Sequence, residues 1–240
     1  MTVGQNRYAI FFLPDRDSAL GAFGRHWLGY DAETGEAAEQ YATAALCRLR
    51  LAEITTEPRR YGFHATLKPP FALAEGRDRG ELSAAMDAFA AAHDAVRGPP
   101  LALASISQFW ALVPSRPCIA IDRLAEECVR RFDAFRAPPS TAELVRRRRS
   151  GLSEAEDALL VRWGYPYVME AFRFHLTLTQ GVDGAEQSLL ADELSPLVAP
   201  LCREDLQIDA ISLMHQSTRN GKFRLVRRYR LASATDRSAS

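Results

Sequence analysis

The sequence predicts an α+β fold made of two related halves, and three observations carry that prediction. Short apolar runs of strand length alternate with amphipathic helical stretches. The same five-residue frame occurs twice, as Phe63-His64-Ala65-Thr66-Leu67 and as Phe174-His175-Leu176-Thr177-Leu178. Each copy opens a similar series of motif strand, helix and paired antiparallel strands, which is how an internal repeat shows itself. A chain of 240 residues fits one such bilobal domain. Lobe one is expected over about 7–138 and lobe two over about 139–232, related by a pseudo-two-fold axis that allows strands to be exchanged. A disordered tail is expected over 233–240.

Residues 8–13 are continuously apolar up to Pro14, as in a strand covered on both faces. Residues 18–28 carry Leu20, Phe23 and Trp27 at helical spacing. The first motif strand lies within 61–73, and Pro69-Pro70 should end or bend it. An amphipathic helix then presents Leu82, Met86, Phe89 and Val96, closed by Gly98-Pro99-Pro100. Residues 101–113 and 118–121 read as two strands, and Asp122 as the cap of a helix with the stripe Leu124, Cys128, Phe132 and Phe135.

Two short helices open the second half. One runs over 141–149, and the other starts at the capping box Ser153-x-x-Glu156 and ends at Trp163-Gly164. The second motif strand is expected over 172–179. A helical stretch with Leu189, Leu190, Leu194, Leu197, Val198 and Leu201 follows, broken at Ser195-Pro196. Residues 206–215 and 222–231 form a hairpin about Arg219-Asn220-Gly221.

Thirty basic and thirty acidic side chains cancel, so no overall field draws in nucleic acid or a membrane, and any anion must be held locally. Cys47, Cys118, Cys128 and Cys202 form no Cys-x-x-Cys pair and read as reduced thiols. The six-residue apolar run near the N-terminus is too short for a signal peptide or a membrane span. A cytoplasmic location is expected.

Strand alternation places His64, Thr66 and Lys68 on one face, with Arg60 and Gly62 if the strand extends back. It places His175, Thr177 and Thr179 on one face with Arg173. Two such strands meeting across an axis would enclose two imidazoles, several hydroxyls and a cation. Phosphodiester hydrolysis needs a base for water and an acid for the departing alkoxide. Imidazole titrates near pH ~6.5 and can serve as either, contributing roughly 10²–10⁴-fold. Thr66, Thr177 and Lys68 would hold the phosphate oxygens. The scheme requires no metal and no cofactor.

Paired His-x-Thr motifs in a duplicated α+β chain resemble the two-histidine (2H) phosphoesterase superfamily. The wider wording is similar to one of its branches, whose genes often lie with those for phosphonate catabolism. That wording is Tyr61-Gly62-Phe63-His64-Ala65-Thr66-Leu67-Lys68-Pro69-Pro70-Phe71, and Arg162-Trp163-Gly164-Tyr165-Pro166-Tyr167-Val168 ahead of Phe172-Arg173-Phe174-His175. The resemblance runs from residue 8 to about 230. It implies two pseudo-symmetric antiparallel sheets lining a central cleft, with helices packed outside. It also implies catalysis by His64 and His175, phosphate binding by Thr66 and Thr177, and no metal. Lys68-Pro69-Pro70 and the Trp-Gly-Tyr-Pro-Tyr segment depart from the general pattern and fit a cleft for a small ester.

His26 and His93 read as helix residues without a chemical task, and His215 as a weaker third imidazole. Arg146, Arg147, Arg148 and Arg149 read as a solvated helix face, with RNA phosphates as the alternative. Tyr167 and Tyr61, with Arg173 and Arg60, are candidate substrate contacts. Tyr165 and Trp110 fit either a core or a stacking role. No Walker loop, Rossmann glycine fingerprint or His-Glu-x-x-His motif is present.

The expected activity is hydrolysis of a cyclic phosphodiester. The substrate is a phosphorylated-sugar cyclic phosphate linked to phosphonate breakdown, or a 2′,3′-cyclic nucleotide or RNA end. His175 is assigned as base and His64 as acid, roles that pseudo-symmetry makes exchangeable. The alternative is a module that binds a phosphorylated ligand or RNA end without turnover. The expected partner is the small substrate itself, with no membrane; a monomer is compatible, and oligomeric state stays open.

Overall fold

In the computed structural model the described residues are 6–41, 43 and 46–233; the expected tail from 234 onward lies outside them. Among these residues, eight strands form two four-stranded antiparallel sheets. The first has the order β2 (Ala65–Phe71), β1 (Arg7–Phe12), β7 (Ala210–Gln216), β8 (Arg224–Arg230). The second has the order β5 (Leu176–Thr177), β4 (Phe109–Pro114), β3 (Val96–Ile106), β6 (Asp205–Ile208). Both motif strands are therefore sheet edges. Each lies beside an equivalent neighbour, with Phe11 opposite Thr66 in one sheet and Ala111 opposite Thr177 in the other. Each sheet takes two strands from either side of residue 138. The chain passes between sheets at Asp209, where β6 on β3 gives way to β7 on β1.

Strand β1 has the double burial its apolar run implies. Tyr8, Ile10 and Phe12 enter the main core, while Ala9, Phe11 and Leu13 enter a second cluster with Tyr30, Met214 and Phe223. The lobes are stitched together by Trp27 Nε1 donating to the Leu178 carbonyl at 2.9 Å. Gln180 N donates to the Ile54 carbonyl at 2.7 Å, and the Phe12 and Phe174 rings lie 5.9 Å apart.

Helices start where short polar side chains satisfy free N–H groups. Ser18 caps α1 (Ala19–Leu28), and capping boxes open α4 (Arg79–Ala92) and α7 (Glu154–Trp163). Two short helices, α2 (Arg48–Ile54) and α3 (Thr56–Arg59), lead into the first motif.

Several expectations need correction. Residues 118–121 are not a strand: Cys118 is the N-cap of α5 (Ile119–Phe132), and Asp122 lies in its first turn. Ile121, Leu124, Ala125, Cys128 and Phe132 form its buried stripe, so the Ile-x-Ile pattern belonged to a helix. The 101–113 run is a hairpin turning at Ser107-Gln108, with Ser107 at φ 56°. Val96 and Gly98-Pro99-Pro100 are not the end of a helix but lie in β3, where a register shift between Gly98 and Pro100 absorbs the missing donors. The expected break at Ser195-Pro196 does not occur. Helix α8 (Gly184–Val198) runs through it, with Pro196 inside its last turn at the cost of one backbone donor. The second motif strand is only two residues long. Beyond it Leu178 N and Thr179 N turn to the Trp110 carbonyl, at 2.8 and 3.3 Å. Pro69-Pro70 bends β2 at its unpaired edge without ending it.

Candidate active site

Gly62 sets up the first motif. It adopts φ +76°, and a Cβ there would stand 2.6 Å from that of Ala32, so only glycine makes this turn without strain. The turn directs the Gly62 carbonyl to His64 Nδ1 at 2.9 Å. The second motif repeats the contact, with the Arg173 carbonyl 2.7 Å from His175 Nδ1. A carbonyl only accepts, so both Nδ1 atoms carry hydrogen and both Nε2 atoms of the neutral rings are acceptors. His64 Nε2 has Thr66 Oγ1 at 3.1 Å.

The His64 ring is packed against Phe11 at 3.9 Å between centroids and stacked on Tyr61 at 5.7 Å. Burial drives its pKa from 6.5 down to about 4, opposed by the Gly62 carbonyl and helped by the charge of His175. The charge of His175 is thus felt at His64. Burial also lowers the pKa of His175, which lies 5.8 Å from the Phe109 ring and is opposed by the Arg173 carbonyl. Thr66 and Thr177 occupy equivalent positions two residues on, each half-buried.

Other expected residues are placed elsewhere. Lys68 is buried beneath α5, its Nζ donating to the Val129 carbonyl at 3.2 Å and lying 3.7 Å from Asp133; burial lowers it to about 8. The register shift between Ile10 and Phe11 inserts Leu67 between Thr66 and Lys68, so alternation does not carry across it. Arg60 is spent on Glu57 and on the Arg219 carbonyl. Arg173 gives its carbonyl to the site, while its side chain is exposed. Tyr61 does wall the site, and Tyr167 is exposed with its ring 5.7 Å from Tyr165.

Thr179 is fully buried, accepting from Trp110 N, and Trp110 Nε1 donates to the Gln187 carbonyl. His215 meets Asn6 at the far end of β7, and His26 and His93 contact main-chain carbonyls. The arginine run on α6 (Thr141–Arg148) is not uniformly solvated: Arg147 lies 4.6 Å over Tyr165, and Arg148 pairs with Asp157. Phe11, which presses on His64, gave no signal in the sequence beyond being apolar. Among the described residues no three His, Cys, Asp or Glu side chains gather as a ligand set.

Two relatives, both named ribose 1,5-bisphosphate phosphokinase PhnN, are similar in sequence. That of Janthinobacterium sp. (strain Marseille) is 41% identical over 184 residues, covering 77% of this chain and 41% of that protein. That of Laribacter hongkongensis (strain HLHK9) is 36% identical over 177 residues, covering 74% and 40%. The chain thus spans about two fifths of the length of these relatives. Among solved structures, E. coli LigT complexed with 3′-AMP aligns at a TM-score of 0.45 and 13% identity, over 96% of this chain and 99% of that one. A structure described as a phosphoesterase aligns at 0.43 and 12%, with the same coverage. Residues 66–224 match the model of the family described as "Protein of unknown function (DUF1045)", and the chain belongs to that family.

Proposed function

We propose that the chain is a two-histidine phosphoesterase that hydrolyses a cyclic phosphodiester without a metal. One observation carries the reading: each motif histidine has Nδ1 held by a carbonyl two residues back, which turns Nε2 into an acceptor, and the charge of His175 is felt at His64. His64 is neutral at physiological pH and serves as base, which reverses the assignment expected from sequence. Its Nε2 takes a proton from water as the water oxygen bonds to phosphorus. The ester P–O bond breaks, and His175 Nε2 protonates the leaving alkoxide. Thr66 and Thr177 donate hydrogen bonds to the phosphate oxygens as charge builds there. The product is a phosphomonoester with a new hydroxyl on the same molecule.

The relatives' name points to phosphorylated ribose, which favours a sugar cyclic phosphate over an RNA end. This chain has no Walker loop, so we assign the named phosphokinase activity to the portion of those proteins it does not match. The test is ³¹P NMR of reactions containing ribose-phosphate cyclic esters or 2′,3′-cyclic nucleotides, run with chelator. A phosphomonoester signal growing from the sugar ester is expected. An inert panel with saturable binding would favour a non-catalytic binding module.

A further inference from the structure

Lys68 is a buried charge that the proposed chemistry does not use. Thr66 lies opposite Phe11 and Lys68 opposite Ile10, so Leu67 bulges between them. Strand β2 is a sheet edge paired with β1 alone, and no strand on its outer side fixes that bulge. Helix α5 takes this place. Lys68 Nζ donates to the Val129 carbonyl at 3.2 Å, in the last turn of α5, where a cation also complements the helix dipole. The Val129 side chain is buried with Leu159 and Val168, and Trp163 and Tyr165 pack against that cluster.

A second branch starts from the same amine. Lys68 Nζ lies 3.7 Å from Asp133 Oδ1, to which Arg136 Nε donates at 2.7 Å. Arg136 donates onward to the Arg162 carbonyl at 3.2 Å, and a Cβ on Gly164 would stand 2.9 Å from its Nη1. Both branches thus run from β2 by way of α5 into residues 162–168, which lead to Phe172-Arg173-Phe174-His175. Two cations share one carboxylate here, and a lysine buried on such terms is costly. Burial lowers it to about 8, so the amine still holds its proton at pH 7. The fold itself does not hang on it. Ala137 N donates to the Ala72 carbonyl and Ala74 N to the Phe135 carbonyl, docking the chain after α5 beyond the end of β2. An apolar side chain of equal volume could fill the space of Lys68, but it could neither donate to Val129 nor attract Asp133.

We propose that Lys68 is a positioning residue: with Asp133 and Arg136 it forms a buried strut that fixes the first motif strand, through α5, against the segment leading to His175. Its effect on rate rests on the phosphoesterase reading; the mechanical coupling of the two motifs does not.

The test is Lys68→Met in the full chain, with Asp133→Asn as a second break in the same strut. Lys68→Met should melt close to the wild-type temperature, since it keeps the volume and removes a desolvated charge. On a cyclic phosphodiester its kcat should fall about tenfold with KM unchanged, because misplacing one acid–base group relative to the other slows the chemical step and not binding. The double variant should be no slower than the slower single one. In ¹H–¹³C spectra the ring resonances of His175 should shift along with those of His64, although Lys68 lies on the strand of the first motif. Wild-type kcat in Lys68→Met would overturn the proposal. So would a spectral shift confined to His64, or a loss of kcat that only follows a lower melting temperature. If the wild type turns over no cyclic ester, the phosphoesterase reading fails and the spectra alone decide: a shifted His175 keeps the strut, and an unmoved one ends it.

Discussion

At the scale of single residues, His64 differs from an ordinary histidine because its ring is sunk against Phe11 and Tyr61. Its pKa of about 4 keeps the ring neutral above that pH, and a base must be neutral before reaction. Under the proposed roles, activity should rise with pH through about 4 and fall as His175, the proposed acid, loses its proton below the ordinary 6.5. The pH profile of kcat/KM, which reports the free enzyme, should be a bell with its maximum between these limits. A maximum above pH 7 would contradict the role assignment.

The same shift makes the fold sensitive to acid. The folded pKa lies below the unfolded one, so the unfolded chain binds more protons between pH 6.5 and about 4, and stability falls as pH falls through that window. The full interval corresponds to roughly 3 kcal/mol. Urea titrations at pH 7 and pH 4 should show His64→Asn losing less stability than wild type by an amount of that order. Equal losses would mean that His64 is more solvated than the structure indicates.

At the scale of elements, each motif histidine is held by a carbonyl two residues before it. In the first, Gly62 supplies the positive φ. Gly62→Ala should cost about 1–2 kcal/mol in backbone strain and lower kcat through misdirection of the carbonyl that sets His64 Nδ1. Denaturation and steady-state kinetics on one preparation would show both effects. Full activity in that variant would dissociate the turn from catalysis.

Elements marked by local chemistry were legible in the sequence: the capping box at Ser153, the αL glycine at Gly164, and the Arg219-Asn220-Gly221 hairpin. Elements decided by distant partners were not. Ile119-Ala120-Ile121 alternates like a strand, yet the helix stripe that buries Ile121 extends to Phe132. The Ser107 turn has no glycine to announce it. A bulge that exists only through pairing with β1 turned Lys68 away from the site.

At the scale of the whole molecule, the duplication is spatial more than sequential. Strands β1 and β4 flank the two motif strands in equivalent positions, although β4 follows the first motif in the chain and β1 precedes it. β3, from the first half of the chain, completes the sheet of the second motif. β7, from the second half, completes that of the first. The exchange, with the Trp27 and Gln180 bonds across the lobes, holds two distant histidines in one rigid frame. The histidines and threonines could be read from the sequence because the same frame is printed twice.

The most direct measurement is the hydrolysis rate of a cyclic phosphodiester in EDTA by wild type, His64→Ala and His175→Ala. Turnover should persist in the chelator and fall about 10²–10⁴-fold in each single variant. Activity that needs a divalent metal, or that survives loss of either histidine, would contradict the two-histidine account.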